Sequence, residues 1–144
     1  MTRLDRDQIA ELIPHAGAMC LLDSVESWNS ASIRCLSWHH LAKNNPLRGP
    51  TGLGILSGVE FAAQAMAVHS RLSAGSDRRP AAGYLISLRD VKCRNLRLDK
   101  LDRELLIDAN LLMGDEKQAV YTFAVGYADA ELISGRAAVI LEAI

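Results

Sequence analysis

The sequence predicts an α+β domain, an antiparallel β-sheet wrapped around one long central helix. Three observations predict it. The stretch from Leu56 to Gly75 is long, alanine-rich and apolar on nearly every side, which marks a helix buried in a core rather than lying on a surface. A short helical pattern and a two-strand pattern precede it. After it come short runs of alternating apolar and polar residues, clearest in Val120 to Tyr127, with turns at Gly114-Asp115 and Asp129-Ala130.

Taken in order, Asp5 to Ile13 has Ile9, Leu12 and Ile13 on one helical face, and Pro14 ends that helix. Pro14 to Trp28 reads as a turn leading into a strand, Asn29-Ser30 as a hairpin turn, and Ala31 to His39 as the second strand. From Leu41 to Gly54 the pattern breaks. Asn44, Asn45, Pro46, Gly49, Pro50, Gly52 and Gly54 make a loop long enough to suggest a functional segment. Ser57 and Glu60 have the spacing of a capping box at the start of the central helix, and Gly75 closes it. The alanines at 62, 63, 65 and 67 keep the helix thin enough for strands to approach. Ser76 to Pro80 connects it to strands expected at Ala82–Leu88, Asp90–Leu96, Glu104–Met113, Lys117–Tyr127 and Leu132–Glu142. Six or seven strands around one helix is the hot-dog arrangement, and residues 1–144 read as a single such domain.

Composition narrows the function classes. With 144 residues, 49% hydrophobic, 23% charged and a net charge of −1, nothing global points to nucleic acid or to a membrane surface. The charged N-terminus lacks the apolar core of a signal peptide, and no apolar run approaches the ~20 residues that span a bilayer. Cys20, Cys35 and Cys93 are few, odd in number and without C-x-x-C spacing, so neither disulfides nor a zinc site is expected. No metal triad, phosphate loop or nucleophile elbow is present, and no cofactor is implied. A reduced, cytoplasmic domain is the expectation.

On a helical wheel of roughly 100° per residue, Ser57, Glu60, Gln64 and Arg71 fall on one side of the central helix. A buried helix with a polar stripe, opened by a carboxylate in its first turn, is where chemistry is expected. A capping glutamate needs no catalytic role, but Glu60 shares its face with Gln64, an orienting hydrogen-bond residue or a satisfied core amide. His39 and His40 fall at the expected end of a strand. His15 follows a proline in a turn that it would help fix, and His69 lies opposite the Glu60 stripe, as a structural residue does. Basic residues crowd the segment from Arg78 to Arg103, either a solvated strand face or a docking patch for an acidic carrier.

Three segments carry a family resemblance. Leu12-Ile-Pro-His15-Ala-Gly-Ala-Met-Cys-Leu-Leu-Asp23 resembles the opening of the hot-dog 3-hydroxyacyl-acyl-carrier-protein dehydratases. Gly58-Val-Glu60-Phe-Ala-Ala-Gln64 is similar to their central-helix motif. Gly83-Tyr-Leu-Ile-Ser-Leu-Arg-Asp-Val-Lys-Cys93, with Asp115-Glu116 and a closing hairpin, resembles the dehydratase-like branch of aryl-polyene gene clusters. The resemblance implies a homodimer, or a heterodimer with a related hot-dog subunit, and acyl tunnels at the interface. It implies water loss from a 3-hydroxyacyl thioester on an acyl carrier protein. Glu60 is then the acidic catalytic residue, and the helix start at Gly58–Val59 offers backbone N–H groups to the thioester oxygen, with Gln64 beside it. The family's loop histidine is missing: it falls near Gly49 to Thr51. The base must then come from His39, His40 or another subunit. A non-catalytic partner subunit that binds the carrier, and a hot-dog acyl-thioesterase, are the other two readings.

Overall fold

The computed structural model describes residues 3–13, 17–74, 80–100, 102–115 and 117–143. The strands are β1 (Leu4–Asp5), β2 (Ser24–Trp28), β3 (Ser32–Ser37), β4 (Pro80–Cys93), β5 (Leu105–Gly114), β6 (Gln118–Tyr127) and β7 (Ala130–Ala143), with helices α1 (Arg6–Leu12) and α2 (Gly58–Ala74). All seven strands join one sheet in the order β1-β2-β3-β5-β6-β7-β4, and every pairing is antiparallel. This is the expected hot-dog arrangement, with α2 lying across β3, β5, β6 and β7.

Local chemistry explains the first elements. Asp5 caps α1 by accepting from the Gln8 N–H at 2.9 Å, while the Gln8 side chain accepts from the Asp5 N–H at 2.9 Å, a reciprocal box. Ile9 and Ile13 then face the core and are fully buried. The β2–β3 turn is built by the Asn29 side chain, whose oxygen accepts from the backbone N–H groups of Ala31 and Ser32 at 2.8 Å each.

The central helix is buried as its apolarity requires. Phe61, Ala62, Ala65, Met66 and Val68 have no exposed surface, and burying each of the larger side chains stabilises the fold by about 1.5–3 kcal/mol relative to exposure. Gly58 sets the distance between α2 and the sheet. A Cβ at that position would stand 2.8 Å from Ile133 Cγ2, closer than two such atoms pack.

Three boundaries differ from the sequence expectation. The helical run does not begin at a Ser57 cap. A 3-10 turn, Ile55–Ser57, leads into α2 from an extended Gly54, and the Ser57 N–H already bonds the Gly54 carbonyl at 3.1 Å. Second, β3 stops at Ser37, and His39–Leu41 forms a 3-10 turn. Side chains divert the chain there: Asp23 accepts the Trp38 N–H at 2.6 Å and Ser37 Oγ accepts the His39 N–H at 3.0 Å. Third, the two strands expected on either side of Arg89 are one strand, β4. Between Arg89 and Lys92 two residues oppose one on β7, and Asp90 takes φ 55°, so the break is a bulge rather than a turn. Gly75 and the 76–79 connection, like His15, lie outside the described residues.

Candidate active site at the start of the central helix

The loop before α2 is held from two sides. Gly49 and Gly52 exchange backbone hydrogen bonds at 2.9 and 3.1 Å. Gly52 has φ +103° and lies under Arg97 and Asp99, with room for no side chain. Beyond it, the Leu98 N–H bonds the Leu53 carbonyl at 2.8 Å and the Ile55 N–H bonds the Leu96 carbonyl at 3.0 Å. The segment following β4 thus fixes the turn that opens α2. Buried Asn45 braces the loop's beginning, donating to the His39 carbonyl at 2.7 Å and accepting from the Leu47 N–H at 2.9 Å.

Glu60 sits in the first turn of α2 and is exposed, although the helix around it is buried. With Ser57 inside the 3-10 turn, Glu60 is not the second half of a capping box. No hydrogen bond or ion pair holds it among the described residues. Two large apolar side chains stand by the same helix end, Leu56 at 64% exposure and Leu96 at 88%.

Gln64, one turn on, is spent on structure. Its Oε1 accepts from the Leu21 N–H at 2.8 Å and its Nε2 donates to the Met19 carbonyl at 2.5 Å, with the residue 1% exposed. Of the two expectations for Gln64, an orienting hydrogen-bond residue or a satisfied core amide, the geometry is that of a core amide pinning the 19–21 segment. Gly58 is engaged within its own chain as well. Its N–H bonds the carbonyls of Ile55 and Leu56, so that amide is committed within the helix start. Val59 turns its side chain into the core.

The two histidines part company. His40 is fully buried and tilts against the Tyr127 ring, with centroids 6.4 Å apart. Arg103 covers the same ring at 5.1 Å. His39 is partly exposed and joins Asp23, with Nδ1 at 3.2 Å from Oδ1 and 3.3 Å from Oδ2. Arg6 closes the group from α1, reaching the Leu22 carbonyl at 3.2 Å, the Gly17 carbonyl at 3.1 Å and Asp23 at 3.5 Å. Burial alone would raise the Asp23 pKa. Hydrogen bonds from His39 and the Trp38 N–H, with the charges of His39 and Arg6, outweigh that and hold it below the usual carboxylate range. No hydrogen bond or ion pair joins Glu60 to His39 among the described residues. The sequence reading used Asp23 only as part of a motif and passed over Arg6. The one signal was the motif's own Asp, because Asp23 and His39 are 16 residues apart and meet only in the folded chain.

His69 is a structural residue at the other half of α2. Its Nε2 meets the Asn29 carbonyl at 2.8 Å, and its Nδ1 meets Tyr121 Oη at 2.7 Å. Half of the basic segment's described cations are compensated: Arg94 pairs with Glu131, Arg97 with Asp99 and Arg103 with Asp129. Arg78 and Arg79 lie outside the described residues. No group of three or more metal-ligating side chains occurs among the described residues, and none of their helices is long and apolar enough to cross a membrane.

Comparison with solved structures finds the dehydratase heterocomplex ApeI:P from Xenorhabdus doucetiae, with a TM-score of 0.82 and 24% identity over 96% of this chain and 91% of that one. A mutant thioesterase from Pseudomonas aeruginosa follows at TM-score 0.59 and 13% identity, covering 83% and 81%. A hypothetical thioesterase with coenzyme A from Streptococcus pneumoniae has a TM-score of 0.58 and 11% identity, covering 83% and 84%. These likenesses establish the hot-dog fold. A search of curated proteins gives no significant match. The profile of the ApeP-like family, described as ApeP dehydratase, matches residues 7–142, and with nearly its whole length covered the chain belongs to that dehydratase family.

Proposed function

We propose that this chain is the subunit of a cytoplasmic dehydratase that removes water from a 3-hydroxyacyl thioester delivered on an acyl carrier protein. A related hot-dog subunit closes its site. The observation that carries the reading is Glu60: a carboxylate with no hydrogen bond or ion pair among the described residues, exposed at the positive end of an otherwise buried helix.

Elimination needs three things. A base takes the proton from the carbon next to the thioester carbonyl, an acid gives a proton to the leaving hydroxyl, and charge building on the carbonyl oxygen must be stabilised. In this proposal Glu60 serves the leaving hydroxyl, the α2 dipole faces the thioester oxygen, and His39 takes the α-proton. The C–O bond breaks as the double bond forms, and water leaves.

A second subunit is supported by what the surface leaves uncovered. Edge strand β4 exposes Leu85, Ile86 and Leu88. The chain then runs on to Leu96, bonded beside Leu56 and the start of α2. A subunit seated there would cover apolar surface and shut water away from Glu60 in one step. The ApeI:P heterocomplex supports a partner of the same fold.

One observation favours a non-catalytic role instead. Where the family resemblance places the loop histidine, this chain has the Gly49–Gly52 turn, which offers no proton-transfer side chain. Assaying the chain alone and with its co-purified partner on a 3-hydroxyacyl carrier thioester decides the matter. Enoyl product that is lost on changing Glu60 supports the enzyme reading. Turnover indifferent to Glu60 supports the partner reading, and release of free thiol supports a thioesterase.

A further inference from the structure

We propose that Asp23 is the positioning residue that selects His39, rather than His40, as the chain's proton acceptor, by holding its ring with the proton on Nδ1 and the lone pair on Nε2. The inference rests on the dehydration reading for its kinetic part only; the tautomer is a property of the chain itself.

The geometry runs through shared atoms. Nδ1 of His39 lies between the two oxygens of Asp23, at 3.2 and 3.3 Å. A carboxylate held ionised can only accept, so Nδ1 must donate. Asp23 is kept ionised by a set of donors: the Trp38 N–H at 2.6 Å, Arg6 Nη1 at 3.5 Å and His39 itself. Arg6 only donates, so at 3.4 Å it competes for Nδ1 as an acceptor, but the two carboxylate oxygens lie nearer, at 3.2 and 3.3 Å, and keep the ring proton on Nδ1. Arg6 places positive charge beside the carboxylate. With Nδ1 occupied, Nε2 is the ring's only acceptor. A carboxylate behind an imidazole fixes both its tautomer and its orientation, and it stabilises the cation formed when the ring takes a proton. His40 lies beside Tyr127 and is wholly buried.

The backbone makes the assignment rigid. Asp23 stands just before β2, and its own N–H bonds the Leu36 carbonyl at 2.9 Å. Ser37 Oγ ties the 19–23 segment to the end of β3 through the Leu21 carbonyl at 2.5 Å. Gln64 pins the same segment to α2, so Asp23 and the Glu60 helix are parts of one braced frame.

The test is Asp23→Asn in the full chain with its partner. The amide oxygen must face the Trp38 N–H, which leaves its NH2 facing Nδ1 and drives the ring proton to Nε2. Long-range nitrogen–proton correlation spectra of the imidazole should show the Nδ1–H form in the wild type and the Nε2–H form in the variant. In parallel, kcat should fall by about 10²-fold or more with KM little changed, and Asp23→Glu should restore part of it. An unchanged tautomer overturns the proposal. So does a switched tautomer with full kcat, which would leave Asp23 as a structural residue. Absence of turnover from the wild-type complex overturns the dehydration reading instead, and the spectra still decide whether Asp23 sets the ring. Should Asp23→Asn fail to fold, the wild-type spectrum decides by itself: the Nδ1–H form of the His39 ring supports the assignment, and the Nε2–H form overturns it.

Discussion

Glu60 and Gln64 stand one turn apart on the same helix and face opposite fates: the carboxylate is exposed and makes no hydrogen bond among the described residues, while the amide is 1% exposed with both of its polar atoms engaged. Replacing Gln64 by Met keeps the bulk but orphans the Leu21 N–H and the Met19 carbonyl. Each buried unsatisfied group costs roughly 1–3 kcal/mol. Gln64→Met should therefore lower the urea midpoint clearly, a change that equilibrium unfolding measures directly.

Gly58 offers a second stability test at the same helix end. Its missing Cβ admits Ile133 Cγ2, and a methyl group there would meet that atom at 2.8 Å. Because the neighbour is a branched side chain in a sealed core, Gly58→Ala should cost about 1–3 kcal/mol, although alanine is the better helix former. A Tm equal to or above the wild type would contradict the packing described.

The His69 network makes stability depend on pH. The Asn29 carbonyl can only accept, so Nε2 carries the proton and Nδ1 accepts from Tyr121 Oη, which Ser70 Oγ approaches at 2.9 Å. Burial holds the His69 pKa below the ordinary histidine range, against a smaller opposing pull from the Asn29 carbonyl. The unfolded chain therefore takes up this proton first as pH falls. The contribution is full above about pH 6.5, is lost between there and the folded-state pKa, and is flat below it. Urea unfolding between about pH 7.5 and pH 5 should show the decline, and His69→Gln should flatten it.

How much of this was legible in the sequence depended on whether the cause was local. α2 was plain because its apolarity repeats on every face and needs no partner to be recognised. The 3-10 turn ahead of it was not, because what fixes Ile55 is the Leu96 carbonyl, reached only after β4 has returned. The Ser57–Glu60 spacing imitated a capping box whose geometry that turn removes. Arg89-Asp90 looked like a turn since polar residues interrupt the alternation, yet β7 continues alongside and absorbs them as a bulge. The Asp23–His39 group was half visible: His39 stood out by residue type, while Asp23 and Arg6 reach it through the folding of β2 and α1.

Assembly should depend on the edge of the sheet. Ile86→Lys places a charge on the exposed apolar face of β4 without touching Glu60. It should weaken association with the hot-dog partner, shifting light-scattering mass towards the single chain, while Tm changes little. A complex of undiminished mass would place the interface elsewhere.

The central claim is that Glu60 does chemistry. Glu60→Gln keeps the side-chain volume and removes no hydrogen bond seen among the described residues, so unfolding should be unchanged within about 0.5 kcal/mol. Enoyl formation from a 3-hydroxyacyl carrier thioester by the purified complex is the measurement that tests it. The account predicts a folded, assembled Glu60→Gln protein whose rate is lower by roughly 10²–10⁴-fold. A wild-type complex that turns over while Glu60→Gln keeps most of that rate would contradict it.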